Sequence, residues 1–82
     1  SEEMRLDKFL KVSRIIKRRT VANEVCDAKH VNVNGKPARA SYDVKEGDVI
    51  EITFGQKVTK YQVLNVTEYA TKESASSMYK EL

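Results

Sequence analysis

The chain has 82 residues, of which 33% are charged and 40% hydrophobic, and its formal net charge is +3. This composition is typical of one small folded domain and argues against a disordered segment. The longest apolar runs are pairs such as Ile15-Ile16, so we predict neither a transmembrane helix nor a signal peptide. Cys26 is the single cysteine, which excludes an internal disulfide and favours a reducing, cytoplasmic location.

The positive charge is concentrated at one end of the chain. Residues 1–20 hold seven bases and three acids, for a charge of +4, whereas residues 21–82 hold eight bases and nine acids, for −1. Such an uneven distribution is typical of a surface that binds phosphate, which makes nucleic acid the first expected partner. Asp7 is the one acid among these bases, which are Arg5, Lys8, Lys11, Arg14, Lys17, Arg18 and Arg19.

The basic segment also has helical periodicity. Leu6, Phe9 and Leu10 follow the i, i+3, i+4 spacing of one helix face, so we predict a helix from about Arg5 that is interrupted near Ser13. Lysines on the other faces of this helix would stay in water.

A second helix is predicted to start at Thr20, a suitable N-cap residue. The basic cluster then lies beside a helix N-terminus, whose free N–H groups and positive dipole end also favour anions. The inward stripe of this helix is expected to consist of Val21, Ala22, Val25 and Cys26.

Beyond residue 30 the apolar period changes to two, which indicates strands. Val31 and Val33 form the first strand, and Asn34-Gly35 is a strong hairpin-turn signal. Pro37 predicts that the next strand is short or at an edge. A longer strand follows from Val49 to Phe54, with Ile50, Ile52 and Phe54 on one face.

The last predicted strand runs from about Val58 to Val66, but its register stays open. Tyr61 and Val63 fit one face, whereas Val58, Leu64 and Val66 fit the other, and a bulge would reconcile the two patterns.

The C-terminal segment is predicted to form a short helix capped by Thr71 or Ser74. Its apolar positions, at helical spacing, are Ala75, Met78, Tyr79 and Leu82. We therefore divide the chain into a domain over residues 4–66 and a C-terminal segment over residues 67–82. Residues 1–3 are expected to be non-native additions or a frayed terminus without a role.

The sequence offers no set of residues for catalysis or metal binding. His30 is the only histidine, and no second ligand stands at a usable spacing, so it is interpreted as a solvated or phosphate-facing side chain. Cys26 lies on an apolar stripe and is expected to be structural. We predict a protein that is not an enzyme and has no cofactor and no metal.

The basic segment could also be no more than a solvated helix face, or it could bind a membrane surface. Phosphate binding is favoured because no acid interleaves the bases between residues 8 and 19. Four of the seven bases are arginines, whose planar fork suits bidentate phosphate contact. Membrane binding is disfavoured because the small core needs the apolar residues of the first helix.

Several motifs, in order and at correct spacing over about residues 4–54, resemble a known family. They are Arg5-Leu6-Asp7-Lys8-Phe9-Leu10, Ser13-Arg14, Lys17-Arg18-Arg19-Thr20-Val21-Ala22, Val31-Asn32-Val33-Asn34-Gly35-Lys36 and Gly47-Asp48-Val49-Ile50. The family is the RNA-binding domain first seen in small-subunit ribosomal protein S-four. The chain is similar to its free-standing members, the ribosome-quality-control RqcP type and the related heat-shock-protein-fifteen type.

The resemblance implies an α+β fold in which two N-terminal helices pack on a small, bent, mostly antiparallel sheet. It implies binding to large-subunit ribosomal RNA and to peptidyl-tRNA on obstructed large ribosomal subunits. We expect the protein to be a monomer. The RqcP type would cooperate with a tailing factor that adds alanine to stalled chains. The alternatives are a heat-shock-fifteen-like recycling factor and a basic adaptor that binds an acidic protein.

The resemblance also implies which residues face RNA. Lys29 stands where many members have glycine, and Arg18 stands where many have threonine. The RNA-facing set carried over by position is Arg5, Lys8, Arg14, Lys17, Arg18, Arg19 and Thr20, with Asn34, Lys36 and Arg39 on the adjacent sheet edge. Lys11 is added to this set as a base of the same cluster.

Overall fold

A computed structural model describes residues 4–67 and 71–82, so the expectation for residues 1–3 lies outside the described residues. The predicted α+β class is confirmed, with two helices ahead of an antiparallel sheet. In chain order the elements are α1 (Leu6–Val12), α2 (Arg19–Asp27), β1 (Val31–Val33), β2 (Lys36–Pro37), β3 (Val49–Phe54), β4 (Lys57–Val63), α3 (Lys72–Ala75) and β5 (Tyr79–Glu81).

The N-terminus of helix α1 is capped by backbone carbonyl groups of a loop, not by a side chain. Arg5 is its N-cap residue and makes no capping hydrogen bond through its side chain. The amides of Leu6 and Asp7 donate instead to the carbonyls of Tyr42 (2.8 Å) and Ala40 (3.2 Å). These bonds satisfy two of the free N–H groups of the first turn and fix the helix to the segment that follows β2.

Helix α2 begins two residues earlier than predicted, so the assignment of Thr20 as N-cap is wrong. Arg18 is the N-cap residue, without a side-chain capping bond, and Thr20 lies exposed in the first turn. Val21 was expected to point inward but is 39% exposed. A helix of nine residues buries only a narrow stripe here, which consists of Ala22 and Cys26 with Val25 packed against it.

Both long helices end in the left-handed backbone conformation without a glycine. Arg14 follows α1 with φ 64°, and Lys29 follows α2 with φ 65°. At the second site His30 N–H donates to the Val25 carbonyl (3.1 Å) and Lys29 N–H to the Cys26 carbonyl (3.0 Å). This is the double hydrogen bond of a Schellman motif, so Lys29 takes the geometry that glycine adopts more easily.

The five strands form one antiparallel sheet in the order β2-β1-β3-β4-β5. The predicted hairpin turn is confirmed, since Asn34 and Gly35 both have positive φ, at 54° and 82°. β2 is a two-residue edge strand, as Pro37 predicted. The inner face carries the buried residues Val31, Val33, Ile50, Ile52 and Val63.

Strand β4 is shorter and more regular than expected. It ends at Val63, and its pairing with β3 is continuous from Val49↔Gln62 to Phe54↔Lys57, so the described register contains no bulge. Tyr61 and Val63 occupy the inner face, whereas Val58 and Leu64 are half exposed. Phe54 shares the inner face of β3 but lies beyond the core and is 51% exposed.

The C-terminal helix is a single turn, and its extension to Leu82 was wrong. Thr71, one of the two predicted caps, is its N-cap residue, and Ser74 completes a reciprocal capping box with it. The chain then becomes β5, which pairs with β4, and the Tyr79 ring packs edge-on against Tyr61 at 5.3 Å. Sheet pairing overrides the helical spacing of the apolar residues here.

The core lies between α1, α2 and the inner face of the sheet. Phe9, Leu6 and Leu10 are fully buried there, and Met78 of the C-terminal segment joins them. Because apolar positions face this core, Lys11 of α1 and the cations of the α1–α2 connection are left on the outside, and Lys8 is half-buried. None of the helices in the described ranges is long and apolar enough to cross a membrane.

Candidate nucleic-acid interface

The predicted basic residues are distributed along α1, the connection and the start of α2. Arg5 precedes α1, Lys8 and Lys11 lie on it, and Arg14 follows it. All of these except Lys8, which is half-buried, are exposed. The rest of the set is also exposed, with Lys17 and Arg18 in the connection and Arg19 and Thr20 in the first turn of α2.

The acid within this basic segment is contacted by residues of both helices and by the residue that precedes α1. The Asp7 carboxylate accepts hydrogen bonds from Arg5 Nε (3.2 Å), Arg19 Nε (3.4 Å), Asn23 Nδ2 (3.3 Å) and the Lys8 amide (2.8 Å). Arg5 adds a longer contact through Nη2 (3.5 Å). The Asp7 side chain is only 3% exposed, whereas those of Arg5 and Arg19 are both 49% exposed. One buried carboxylate thus holds two outward-facing arginines.

Local structure explains how these side chains meet. Asp7 lies in the first turn of α1, whose neighbouring positions Leu6 and Phe9 are drawn into the core. Arg19 and Asn23 are four residues apart on α2, so they project from the same face of that helix. Because α1 packs against α2, the Asp7 carboxylate reaches both of them.

The electrostatics of Asp7 are set by two opposing effects. Burial disfavours the charged carboxylate and raises its pKa. The hydrogen bonds from Asn23, Arg5 and the Lys8 amide, together with the charge of Arg19, lower the pKa by more than burial raises it. The net effect holds the pKa of Asp7 below its ordinary value of 3.8, so the group is ionised at neutral pH. Ion pairs to half-exposed arginines contribute little to stability, about 0–1 kcal/mol.

The two arginines keep donors available for a ligand. A guanidinium has five N–H donors, and the Asp7 carboxylate takes two from Arg5 and one from Arg19. The remaining donors belong to groups whose planar fork matches a phosphate. Arg5, Arg19 and Thr20 also line one shallow depression together with Asp7, Asn23 and Glu24. This depression suits an anionic backbone better than a small apolar ligand.

The sheet-edge residues predicted to face RNA are not brought into this depression. The Asn34 side chain accepts from the Val49 amide (3.0 Å) and donates to Asp48 (3.0 Å), so both ends of its amide support the hairpin. Lys36 is exposed on β2. Arg39 lines a different depression, beside Lys29 at the end of α2.

Sequence reasoning missed Asp7, Asn23 and Lys29 as members of these surfaces. Asp7 had been noted only as the lone acid among bases, and that isolation on a helix with an apolar stripe was the available signal. For Asn23, the one available indication was its four-residue spacing from Arg19, which places both residues on the same face of α2.

Cys26 is a buried cysteine on the inner side of α2. Burial, reinforced by the charges of Asp7 and Asp27, raises the pKa of the Cys26 thiol to about 12, so it stays protonated and unreactive near neutral pH. Within residues 4–67 and 71–82, no group of three or more His, Cys, Asp or Glu side chains is placed to hold a metal ion.

Known proteins are similar to this chain in sequence and in fold. The S4 domain family matches residues 4–50. A protein named RQC P-site tRNA stabilizing factor from Halalkalibacterium halodurans is 57% identical over 76 residues, covering 93% of this chain and 86% of that protein. Its namesake from Bacillus subtilis is 54% identical over 76 residues, covering 93% and 88%.

Among solved structures, a trimeric heat shock protein 15 from Vibrio cholerae superposes with a TM-score of 0.89 at 28% identity, covering 99% of this chain and 83% of that one. The superposition extends past the family match to include the C-terminal strand. Fold, motifs and relatives agree. The chain therefore belongs to the S4 domain family and groups with the RQC P-site tRNA stabilizing factors.

Proposed function

We propose that this protein is a ribosome-associated quality-control factor that binds large-subunit ribosomal RNA and peptidyl-tRNA on obstructed large subunits. It acts in the cytoplasm by binding RNA. It does not catalyse a reaction, and it needs neither a cofactor nor a metal. By holding the tRNA in place it supports a tailing factor that extends the stalled chain with alanine.

One observation carries the proposal: the bases from Arg5 to Arg19 lie mostly on the exposed surface, and two of them contact one buried carboxylate. The two arginines that contact Asp7 are both half exposed, so they are oriented and accessible at once. The name carried by relatives of more than 50% identity supports the P-site tRNA as one ligand.

The chemistry of the surface suits structured RNA. In A-form RNA the accessible features are phosphates and 2′-hydroxyls across a shallow groove, which are read by shape. Arginine forks and lysine ammonium groups match phosphates on both sides of such a groove. We expect Lys8, Lys11, Lys17 and Arg18 to add charge around the Arg5–Arg19 pair and to strengthen binding without base specificity.

Co-sedimentation with large ribosomal subunits that retain peptidyl-tRNA tests the proposal. Four to six phosphate contacts predict a slope of roughly −3 to −5 for log affinity against log salt. Arg19→Ala should weaken binding, and RNA crosslinks should map to the Arg14–Thr20 segment. Lys57→Ala is the matched control, because it removes one exposed cation from the far hairpin. Equal losses for both variants, or a flat salt response, would overturn the proposal.

The second candidate is a recycling factor, which is favoured by the structural similarity to heat shock protein 15. Under both candidate functions the protein binds the same kind of RNA through the same face, so a binding assay alone does not distinguish them. Deleting the gene in its own cell does: loss of alanine tails on stalled chains supports the tailing role, and intact tails support recycling. An adaptor for an acidic protein would yield no RNA crosslink at all.

A further inference from the structure

We propose that Asp7 is a positioning residue whose buried carboxylate holds Arg5 and Arg19 side by side as one phosphate clamp. The inference rests on the proposed RNA-binding function and adds a residue that does not itself contact RNA. The Arg5–Arg19 clamp consists of the two guanidinium groups with their Nε atoms turned toward Asp7, at 3.2 and 3.4 Å.

The geometry favours positioning over charge balance. Asp7 accepts through both carboxylate oxygens: Oδ1 takes the Lys8 amide and Arg5 Nε, while Oδ2 takes Arg19 Nε and Asn23 Nδ2. The carboxylate is therefore fixed by the backbone of α1 and by a neutral donor on α2, independently of the arginines. Its orientation then dictates theirs.

Ordering the two arginines in advance has a measurable consequence. A flexible arginine must give up rotamer freedom when it binds phosphate, which weakens affinity by about two- to tenfold for each such side chain. Arg5 and Arg19 are half exposed and would otherwise sample several rotamers. With Asp7 in place, part of this ordering is already present in the free protein.

Asp7→Asn separates the two explanations by the sign of its effect. If charge alone governs binding, removing a negative charge beside the RNA face should tighten it. If Asp7 positions the clamp, the asparagine amide presents donors to the arginines, the clamp loosens, and affinity for large ribosomal subunits falls about tenfold. Affinity for single-stranded oligouridine, which needs no fixed geometry, should not fall.

Glu24→Gln is the matched control. Glu24 lines the same depression and is exposed, and the substitution changes the net charge by the same amount. It should raise subunit affinity slightly, because it removes a negative charge beside the RNA face without removing an acceptor of the arginines. If Asp7→Asn tightens subunit binding as Glu24→Gln does, the positioning role is refuted, whereas a loss confined to Asp7→Asn supports it.

A second measurement remains decisive if Asp7→Asn fails to fold. Arg5→Lys and Arg19→Lys keep the charge of exposed side chains but remove the fork and the Nε donor. Because the two guanidinium groups bind one phosphate as a unit, the first substitution already removes the clamp, so the two losses should be less than additive in a double-mutant cycle. Strictly additive losses refute the inference. If Arg5→Lys, Arg19→Lys, Arg5→Ala and Arg19→Ala all leave the affinity unchanged, the RNA-binding face itself is refuted.

Discussion

Arg14 offers a test in which backbone strain and RNA binding can be separated. Its φ of 64° lies in the left-handed region, and its amide donates to the Lys11 carbonyl (3.1 Å) as α1 ends. The side chain is exposed, so it gains no packing energy that would offset this strain. We interpret Arg14 as a position where a glycine would suit the fold and an arginine suits the ligand.

The magnitude follows from the backbone. Left-handed geometry costs a residue with a side chain roughly 1–2 kcal/mol, and a glycine avoids this strain. The greater freedom of glycine in the unfolded chain offsets about 0.4–1 kcal/mol of that gain. The Arg14→Gly variant should therefore have a free energy of unfolding about 0.8 kcal/mol higher than that of the Arg14→Ala variant. For a domain of this size that difference is about 3–6 °C in melting temperature.

The two variants should bind RNA equally poorly, since both lack the guanidinium. Loss of one charge-assisted phosphate contact predicts affinity about tenfold lower, which is 1.4 kcal/mol. Thermal melts followed by circular dichroism give the first comparison, and co-sedimentation with large subunits gives the second. Equal melting temperatures for the glycine and alanine variants would refute the strain argument. Unchanged affinity in both would remove Arg14 from the RNA face.

Three further predictions concern single groups. Lys29→Gly should raise the melting temperature relative to Lys29→Ala by a similar few degrees, because Lys29 also has positive φ (65°); equal melts would contradict this. Cys26, with its pKa raised to about 12, should react with Ellman's reagent at pH 8 only as fast as the protein opens, and rapid labelling of the native state would disprove its burial. The pKa of Asp7 is lowered, so the stability it contributes is present above pH 3.8 and is lost as the pH falls through the lower folded value. Urea titrations below pH 4 should show a shallower acid loss for Asp7→Asn than for the native chain, with Asp27→Asn as the control.

The parts of the fold that depend on local pattern could be predicted from the sequence. The spacing of Leu6, Phe9 and Leu10 located α1, and the Asn34-Gly35 pair located the hairpin, because each signal involves residues close together in the chain. The charge asymmetry likewise indicated the basic face. Each of these features is decided by neighbours within about two helical turns.

The parts that failed depend on distant partners. The helical spacing of Met78 and Tyr79 is real, but β4 offers an open edge and the segment pairs with it as β5. The register of β4 was ambiguous until its pairing with β3 placed Tyr61 and Val63 inward. Intrinsic preference is a weak guide where a sheet edge competes for the same residues.

The candidate site shows the same division. Its cations could be predicted from charge, but the organising role of Asp7 could not, because its partners Arg19 and Asn23 lie 12 and 16 residues away along the chain. Only the packing of α1 against α2 brings them within hydrogen-bonding distance.

Burial of the acid reconciles two demands on a phosphate-binding surface. Arginines that must be ordered need a fixed acceptor, yet an exposed carboxylate beside them would repel the RNA backbone. Asp7 is almost fully buried, so its charge lies behind the guanidinium groups while their outer donors face solvent. Exposed charges further apart than about 10 Å are screened at 0.1 M salt, whereas the buried contacts are screened much less. The clamp geometry should therefore persist at salt concentrations that weaken the RNA contacts, so affinity can fall steeply with salt while the surface that binds stays ordered.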